Sequence, residues 1–207
     1  MVNAALLVDN GSPSAPLLAR LIAGAGWTPL VTPVERLPRR VPPVSAVILS
    51  GTDVPVWLPV YAAEVRLIRS CPVPLLGVCG GHQLIGRAHG VGLRRVPPAL
   101  GRTRVRLHGD HPLWTGLPPQ VELFQRHVYG LRAVPAGFDL IATSGACPVE
   151  GIARTGGQVY GMQAHLEFRP EGRAILSRFL DLAAPTGPVS WCTDDFDGQL
   201  VDPEDEV

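Results

Sequence analysis

The chain contains no lysine, and all 18 of its basic side chains are arginine. They are matched by 18 acidic ones, so no global charge directs the protein to nucleic acid or to a membrane surface. Charged residues make up only 17% of the chain, which argues against a coiled coil or a disordered polyelectrolyte. No apolar run approaches the roughly 20 residues needed to span a bilayer. The first residues, Met1 to Gly11, have no basic stretch and no cleavage site and do not read as a signal peptide. Cys71, Cys79, Cys147 and Cys192 fit neither a zinc ribbon nor a disulfide framework. Free thiols in a soluble, reducing, cytoplasmic setting are therefore expected. His108 and His111 flank a loop and read as solvent-facing rather than as metal ligands. Gly24 and Gly26 read as a helix end, because no third glycine or trailing acid completes a dinucleotide fingerprint.

What is present is a chain of 207 residues, 46% of them hydrophobic, enough for one substantial domain and too little for two. The charge balance is uneven along it. Seven acids and no arginine lie from Ala183 to Val207, which leaves the first 182 residues with 18 basic and 11 acidic side chains. The expected organisation is one domain over residues 1–182 and an acidic tail over 183–207. Ala4–Val8, Leu30–Val34, Val44–Leu49 and Val73–Val78 read as strands. Ser14–Ala25, Trp57–Arg69 and His82–Ala88 read as helices between or after them. This alternation predicts an α/β fold with a mostly parallel central sheet. Beyond Gly90 the segments Gly92–Val96, Arg102–Leu107, Val121–Arg126, Phe138–Thr143, Val149–Arg154 and Val159–Ala164 read as short strands, several of them antiparallel. Pro170 opens a last helix.

The most informative stretch runs from Pro74 to Gly86. A buried strand leads straight into Cys79, two glycines follow, and then a helix. Such a turn strains the backbone and aims the side chain away from the sheet. Bulky side chains at Gly77 or Gly81 would collide across it. The helix N-terminus points at the sulfur and favours the thiolate, and the Gly80 amide is placed to donate to an oxyanion. A thiolate nucleophile also needs a base. His165 and Glu167 stand two apart at the end of an apolar segment, so in an extended conformation they share a face. Glu167 then orients the imidazole while its other nitrogen meets the sulfur, in the order Cys, His, Glu.

Together these segments resemble the class I (triad) glutamine amidotransferases. Their nucleophile signature G-x-C-x-G-x-Q is matched by Gly77, Cys79, Gly81 and Gln83. Their H-P-E signature is matched by His165, Leu166 and Glu167. The run Val47 to Asp53 is similar to the family's loop after the third strand, and His127 with the run Leu131 to Ser144 is similar to its substrate-pocket segment. The likeness covers roughly residues 4–182. It implies a flavodoxin-like layered fold and a glutaminase that releases ammonia through a Cys79 thioester, with no cofactor and no metal. Thr52 and Gly80 are implied as the oxyanion amides, with Gly51 as the alternative, and Gln83 and His127 as pocket residues. The partner implied is a separate synthase that takes the ammonia, with no nucleic acid and no membrane involved. Hydrolysis of another γ-glutamyl amide or peptide, transfer of the acyl group to an amine, or a non-catalytic binding role are the alternatives. Two residues depart from the family pattern: Leu166 replaces the proline between His and Glu, and Thr52 replaces a second glycine. Arg94, Arg95, Arg102, Arg104 and Arg106 form a basic stretch without interleaved aromatics, which reads as a docking face for a partner or for the acidic tail.

Overall fold

A computed structural model describes residues 3–193. Its strands are β1 (Ala4–Asp9), β2 (Thr28–Pro33), β3 (Arg40–Val44), β4 (Ala46–Leu49), β5 (Leu75–Val78), β6 (Leu93–Leu107), β7 (Gln120–Leu131), β8 (Phe138–Ser144), β9 (Gly151–Arg154), β10 (Val159–Met162) and β11 (Val189–Cys192). The helices are α1 (Ala15–Gly24), α2 (Ala62–Ser70), α3 (Gly80–Ala88) and α4 (Pro170–Ala183). Nine strands form one sheet in the order β2-β1-β4-β5-β10-β9-β8-β6-β7, and β11 pairs with β3 in a separate two-stranded sheet. From β2 to β10 the neighbours run parallel, and from β10 to β7 they run antiparallel.

The short parallel strands are apolar along their length because both faces are covered. Leu7, Ile48 and Leu76 pack with Leu18 and Ile22 of α1 and Ile175 and Phe179 of α4. Their neighbours Leu6, Val47, Leu49 and Leu75 point the other way, to Val65 and Ile68 of α2 and Leu84 and Ile85 of α3. The sheet is thus a middle layer between two helical ones, and alternation along each strand divides the core in two.

Several boundaries differ from the sequence reading, each for a local reason. The run Val44–Leu49 splits at Ser45, whose amide bonds Ala4 O at 2.8 Å, and the chain passes from the small sheet into the large one there. The helix expected from Trp57 begins at Ala62, after a 3-10 turn over Pro59–Tyr61, since proline suits the first helical position and not the interior. The two strands expected between Gly92 and Leu107 are one strand, β6. Its pairing with β7 is interrupted between Arg95 and Ala99, where Pro97 and Pro98 have no amide to donate. Part of the segment read as tail is structured: β11 docks on β3, and Thr193 N bonds Arg39 O at 2.8 Å. The tail's acidic positions, Asp194 to Glu206, lie outside the described residues. Among the described residues no helix is long and apolar enough to cross a membrane.

Candidate active site

Because β4, β5 and β10 are adjacent and parallel, their C-terminal ends meet at one edge of the sheet. The chain leaves β4 through Ser50, Gly51 and Thr52, β5 through Cys79, and β10 through Gln163 to His165. Crevices at such strand ends are where open α/β sheets place ligands.

Cys79 has φ 51° and ψ −105° and is the one non-glycine with positive φ among the described residues. A backbone held in such a region costs about 1–3 kcal/mol, and it persists only where the surroundings enforce it. Here Cys79 N bonds Met162 O at 2.8 Å, Gly81 N bonds Ser50 O at 3.1 Å, and Gln83 N bonds Cys79 O at 3.2 Å. The glycines around it are required by contact. A Cβ on Gly77 would lie 2.5 Å from the Gly81 carbonyl, and one on Gly81 would lie 2.6 Å from Leu49 O. The collision expected across this turn is therefore present. Cys79 sits at the start of α3, almost fully buried.

His165 and Glu167 lie beside it, though not on an extended strand as expected. Strand β10 ends at Met162, and His165 is held in place by its own amide, which bonds Phe124 O of β7 at 2.8 Å. The chain then turns, and His165 Nδ1 meets Glu167 Oε1 at 2.8 Å. Both side chains are buried. Burial alone would lower the pKa of His165, but its hydrogen bonds to Cys79 and to Glu167 outweigh that and raise it. The result is a hydrogen-bonded chain of sulfur, imidazole and carboxylate. The Leu166 side chain, standing between the two, is fully buried.

The start of α3 and the loop after β4 close on each other beside Cys79. Gly80 approaches the β4 loop so closely that a Cβ on it would lie 2.8 Å from Thr52 N and 2.5 Å from Thr52 Cγ2. Gly51 lies nearer the imidazole, where a Cβ would be 3.2 Å from His165 Cε1. Thr52 keeps negative φ, so threonine fits where the family pattern has glycine. Its hydroxyl fixes the loop by bonding Tyr61 Oη at 2.6 Å and accepting from Val54 N at 3.0 Å.

Behind the loop lies a network with no signal in the sequence. Asn10, at the end of β1, bonds Ser50 Oγ through its amide at 2.9 Å, and its side chain donates to Ser50 O at 3.0 Å and to Glu64 Oε1 at 3.1 Å. Glu64, on α2, is completely buried. Burial pushes its pKa up to about 8, against a smaller opposing effect of the Asn10 bond.

A cavity of about 470 Å³ opens from Cys79, lined by Thr52, Trp57, Gln83, Leu100 and Tyr129 among others. Asp53 and Arg126 stand on its wall and pair at 3.6 Å. His127 also lines it. That ring is buried, and burial, against a smaller opposing effect of a backbone hydrogen bond at Tyr129, holds its pKa down to about 4. Gln83 lines the cavity, but its amide nitrogen is already engaged by Tyr129 O at 2.9 Å and Gln163 Oε1 at 3.2 Å. Sequence reasoning misses Tyr129, Trp57, Arg126 and Gln163, because nothing in their spacing marks them.

The remaining candidates fall elsewhere. His108 bonds Thr143 and His111 stacks on Trp114. Among the described residues no group of three or more His, Cys, Asp or Glu is placed to hold a metal. Cys71, Cys147 and Cys192 are free thiols away from the cavity. Arg94, Arg95, Arg102, Arg104 and Arg106 are all exposed on β6.

The model of the family described as glutamine amidotransferase class-I matches residues 6–182. A glutamine-hydrolyzing GMP synthase from Aeropyrum pernix is 30% identical over 95% of this chain and 39% of its own length. One from Thermus thermophilus is 32% identical over 86% of this chain and 36% of its own length. The chain thus spans about two fifths of these relatives. A single subunit of the glutamine-hydrolyzing GMP synthase from Methanobrevibacter smithii is 31% identical over 56% of this chain and 62% of its own length. Among solved structures, a glutamine amidotransferase from Thermotoga maritima superposes with a TM-score of 0.77 at 16% identity, over 88% of this chain and 98% of that one, a likeness of fold.

Proposed function

The chain belongs to the class I glutamine amidotransferase family of enzymes, and on that premise we propose that it hydrolyses the side-chain amide of glutamine through Cys79 and yields ammonia to a separate synthase. The observation that carries this reading is the conformation of Cys79, forced to φ 51° at a helix N-terminus beside the His165–Glu167 chain. The Cys79 sulfur attacks the carboxamide carbon, and the carbonyl electron pair moves onto oxygen. The amides of Thr52 and Gly80 receive that oxyanion, with Gly51 as the alternative donor. His165 gives its proton to the departing ammonia, and a γ-glutamyl thioester remains. His165 then takes a proton from water, which releases glutamate and restores the sulfur. Glu167 holds the ring by Nδ1 and stabilises its charged form.

The cavity wall supplies recognition. With the Gln83 nitrogen engaged, its carbonyl end remains for a substrate ammonium, and the His127 ring stands on the same wall. Relatives named GMP synthase, one of them named as a subunit, support a synthase as the ammonia acceptor. The exposed arginines of β6, on the strand that also lines the cavity, are the docking edge in this reading. A reducing, cytoplasmic compartment suits a sulfur that must stay a thiol.

The test is glutamate release from L-glutamine by the full chain, alone and with the candidate synthase. Turnover that rises with the synthase supports the reading. Absence of glutamine turnover in both arms, with hydrolysis of other γ-glutamyl amides, would favour the stand-alone hydrolase instead.

A further inference from the structure

Gln163 has no part in the triad and follows β10 directly, two residues before His165. Its side chain is completely buried. The side-chain nitrogen lies 3.7 Å from Cys79 Sγ, within the range of an N–H···S contact, and the side-chain oxygen lies 3.2 Å from Gln83 Nε2. A glutamine amide can in principle be turned end for end, but here its orientation is determined by a neighbour. Gln83 Nε2 also lies 2.9 Å from Tyr129 O, a backbone carbonyl that can only accept. The end of Gln83 that faces it is therefore the donor. That donor presents N–H to Gln163, so Gln163 must answer with its oxygen and leaves its nitrogen pointing at the sulfur.

We propose that Gln163 is a further catalytic residue, whose amide N–H binds the Cys79 sulfur in its anionic form and is aimed by the Tyr129–Gln83 relay. The inference rests on Cys79 being the nucleophile. It assigns the sulfur two donors, the imidazole of His165 and the amide of Gln163, beside the Arg126 carbonyl at 3.9 Å, which accepts from the thiol. The two act at different moments. His165 gives up its proton to the leaving ammonia, whereas the amide keeps its N–H throughout. When water has added to the thioester and the C–S bond breaks, the bonding electron pair returns to sulfur. The amide donates to that charge as it reappears, and no proton is transferred to or from Gln163. A hydrogen bond to a charged group is stronger than one to a neutral group, so the contact favours the thiolate over the thioester sulfur and speeds this departure. Burial strengthens the effect by excluding competing water.

The test uses the full chain and a small electrophile, iodoacetamide, which needs neither the glutamine pocket nor the oxyanion amides. The rate of carboxamidomethylation of Cys79 is followed by mass spectrometry across pH, with Cys71 in the same molecule as the internal reference. Gln163→Met keeps the shape of the side chain and removes the donor. It is expected to move the Cys79 profile to higher pH by about one unit, a tenfold fall in rate on its lower limb, with Cys71 unchanged. Gln163→Glu keeps the acceptor for Gln83 but sets a carboxylate against the sulfur, and its profile should lie further up than that of Gln163→Met. Melting temperatures of both variants identify any that fail to fold, and either one that folds decides the matter. A Cys79 profile that is steep and early in the wild type and unmoved in a folded variant overturns the role of Gln163 alone. A wild-type Cys79 no more reactive than Cys71 overturns the nucleophile reading, and this inference with it.

Discussion

In the parallel half of the sheet, β4, β5 and β10 end side by side, and each delivers one part of the candidate chemistry within a few residues of its last hydrogen bond. The groups there are buried and held by contacts under 3 Å, such as Cys79 N to Met162 O at 2.8 Å and His165 Nδ1 to Glu167 Oε1 at 2.8 Å. In the antiparallel half, β6 and β7 form a long hairpin whose side chains make the cavity wall. Those side chains are looser: Leu100 is 79% exposed, and Arg126 reaches Asp53 only at 3.6 Å with both half-exposed. Parallel strand ends fix positions because their register is enforced by helices on both faces, whereas a hairpin edge is covered on one face and leaves its rim free. In the proposed function reactivity and recognition are thus carried by different architectures in one site, and substitutions should divide along the same line.

The sharpest break is expected at Cys79. Replacing it with serine should abolish glutamate release, while serine at Cys71, Cys147 or Cys192 should leave turnover near that of the wild type. Undiminished activity in Cys79→Ser would remove the parallel strand ends from the chemistry altogether. Next, His165→Ala removes proton transfer and should cost on the order of 10²- to 10⁴-fold in kcat. Glu167→Gln should cost less, since its carbonyl can still hold the ring while it cannot stabilise the imidazolium by charge. A larger loss in Glu167→Gln than in His165→Ala, at equal melting temperature, would reverse the assigned roles.

A smaller effect, on stability rather than turnover, is expected from Glu64. Its carboxyl is raised from 4.5 to about 8 in the folded protein. Between those values the folded state therefore holds a proton that the unfolded state has lost, and stability falls as pH rises. Glu64→Gln should flatten that fall, seen by denaturant titration at several pH values from 5 to 8. An identical slope in both proteins would show that the Asn10–Glu64 contact does not carry the pH dependence. The least effect belongs to the hairpin rim. Leu100→Asn should change stability by no more than about 0.5 kcal/mol, because a side chain this exposed gives up little by becoming polar. A large loss on thermal melting would mean that the rim is as tightly determined as the strand ends.

Much of this is readable in the residues. The apolar runs at Ala4–Val8 and Val73–Val78 announce buried strands, and the glycines around Cys79 announce a turn with no room for side chains. His165 and Glu167 do pair, although a shared face of an extended strand is not what joins them, since they occupy a turn. The extent of β6 is hidden by Pro97 and Pro98, which sit at an interruption in its pairing rather than at a strand end. The Asn10–Glu64 contact leaves no trace, because a lone glutamate among the apolar residues of a helix looks like a solvated one until its neighbours are known.

The sequence by itself determined the strand-to-helix turn at Cys79, the chain order of Cys79, His165 and Glu167, and the layered α/β class. These depend on residues close along the chain, where steric fit and hydrophobic periodicity act directly. Tertiary structure alone brought Gln163 to the sulfur and Asn10 to Glu64. Gln163 and Cys79 are 84 residues apart, and Asn10 and Glu64 are 54 apart. Such pairs are brought together by the register of parallel strands and the packing of helices over them, and a one-residue slip in that register would turn each side chain to the opposite face.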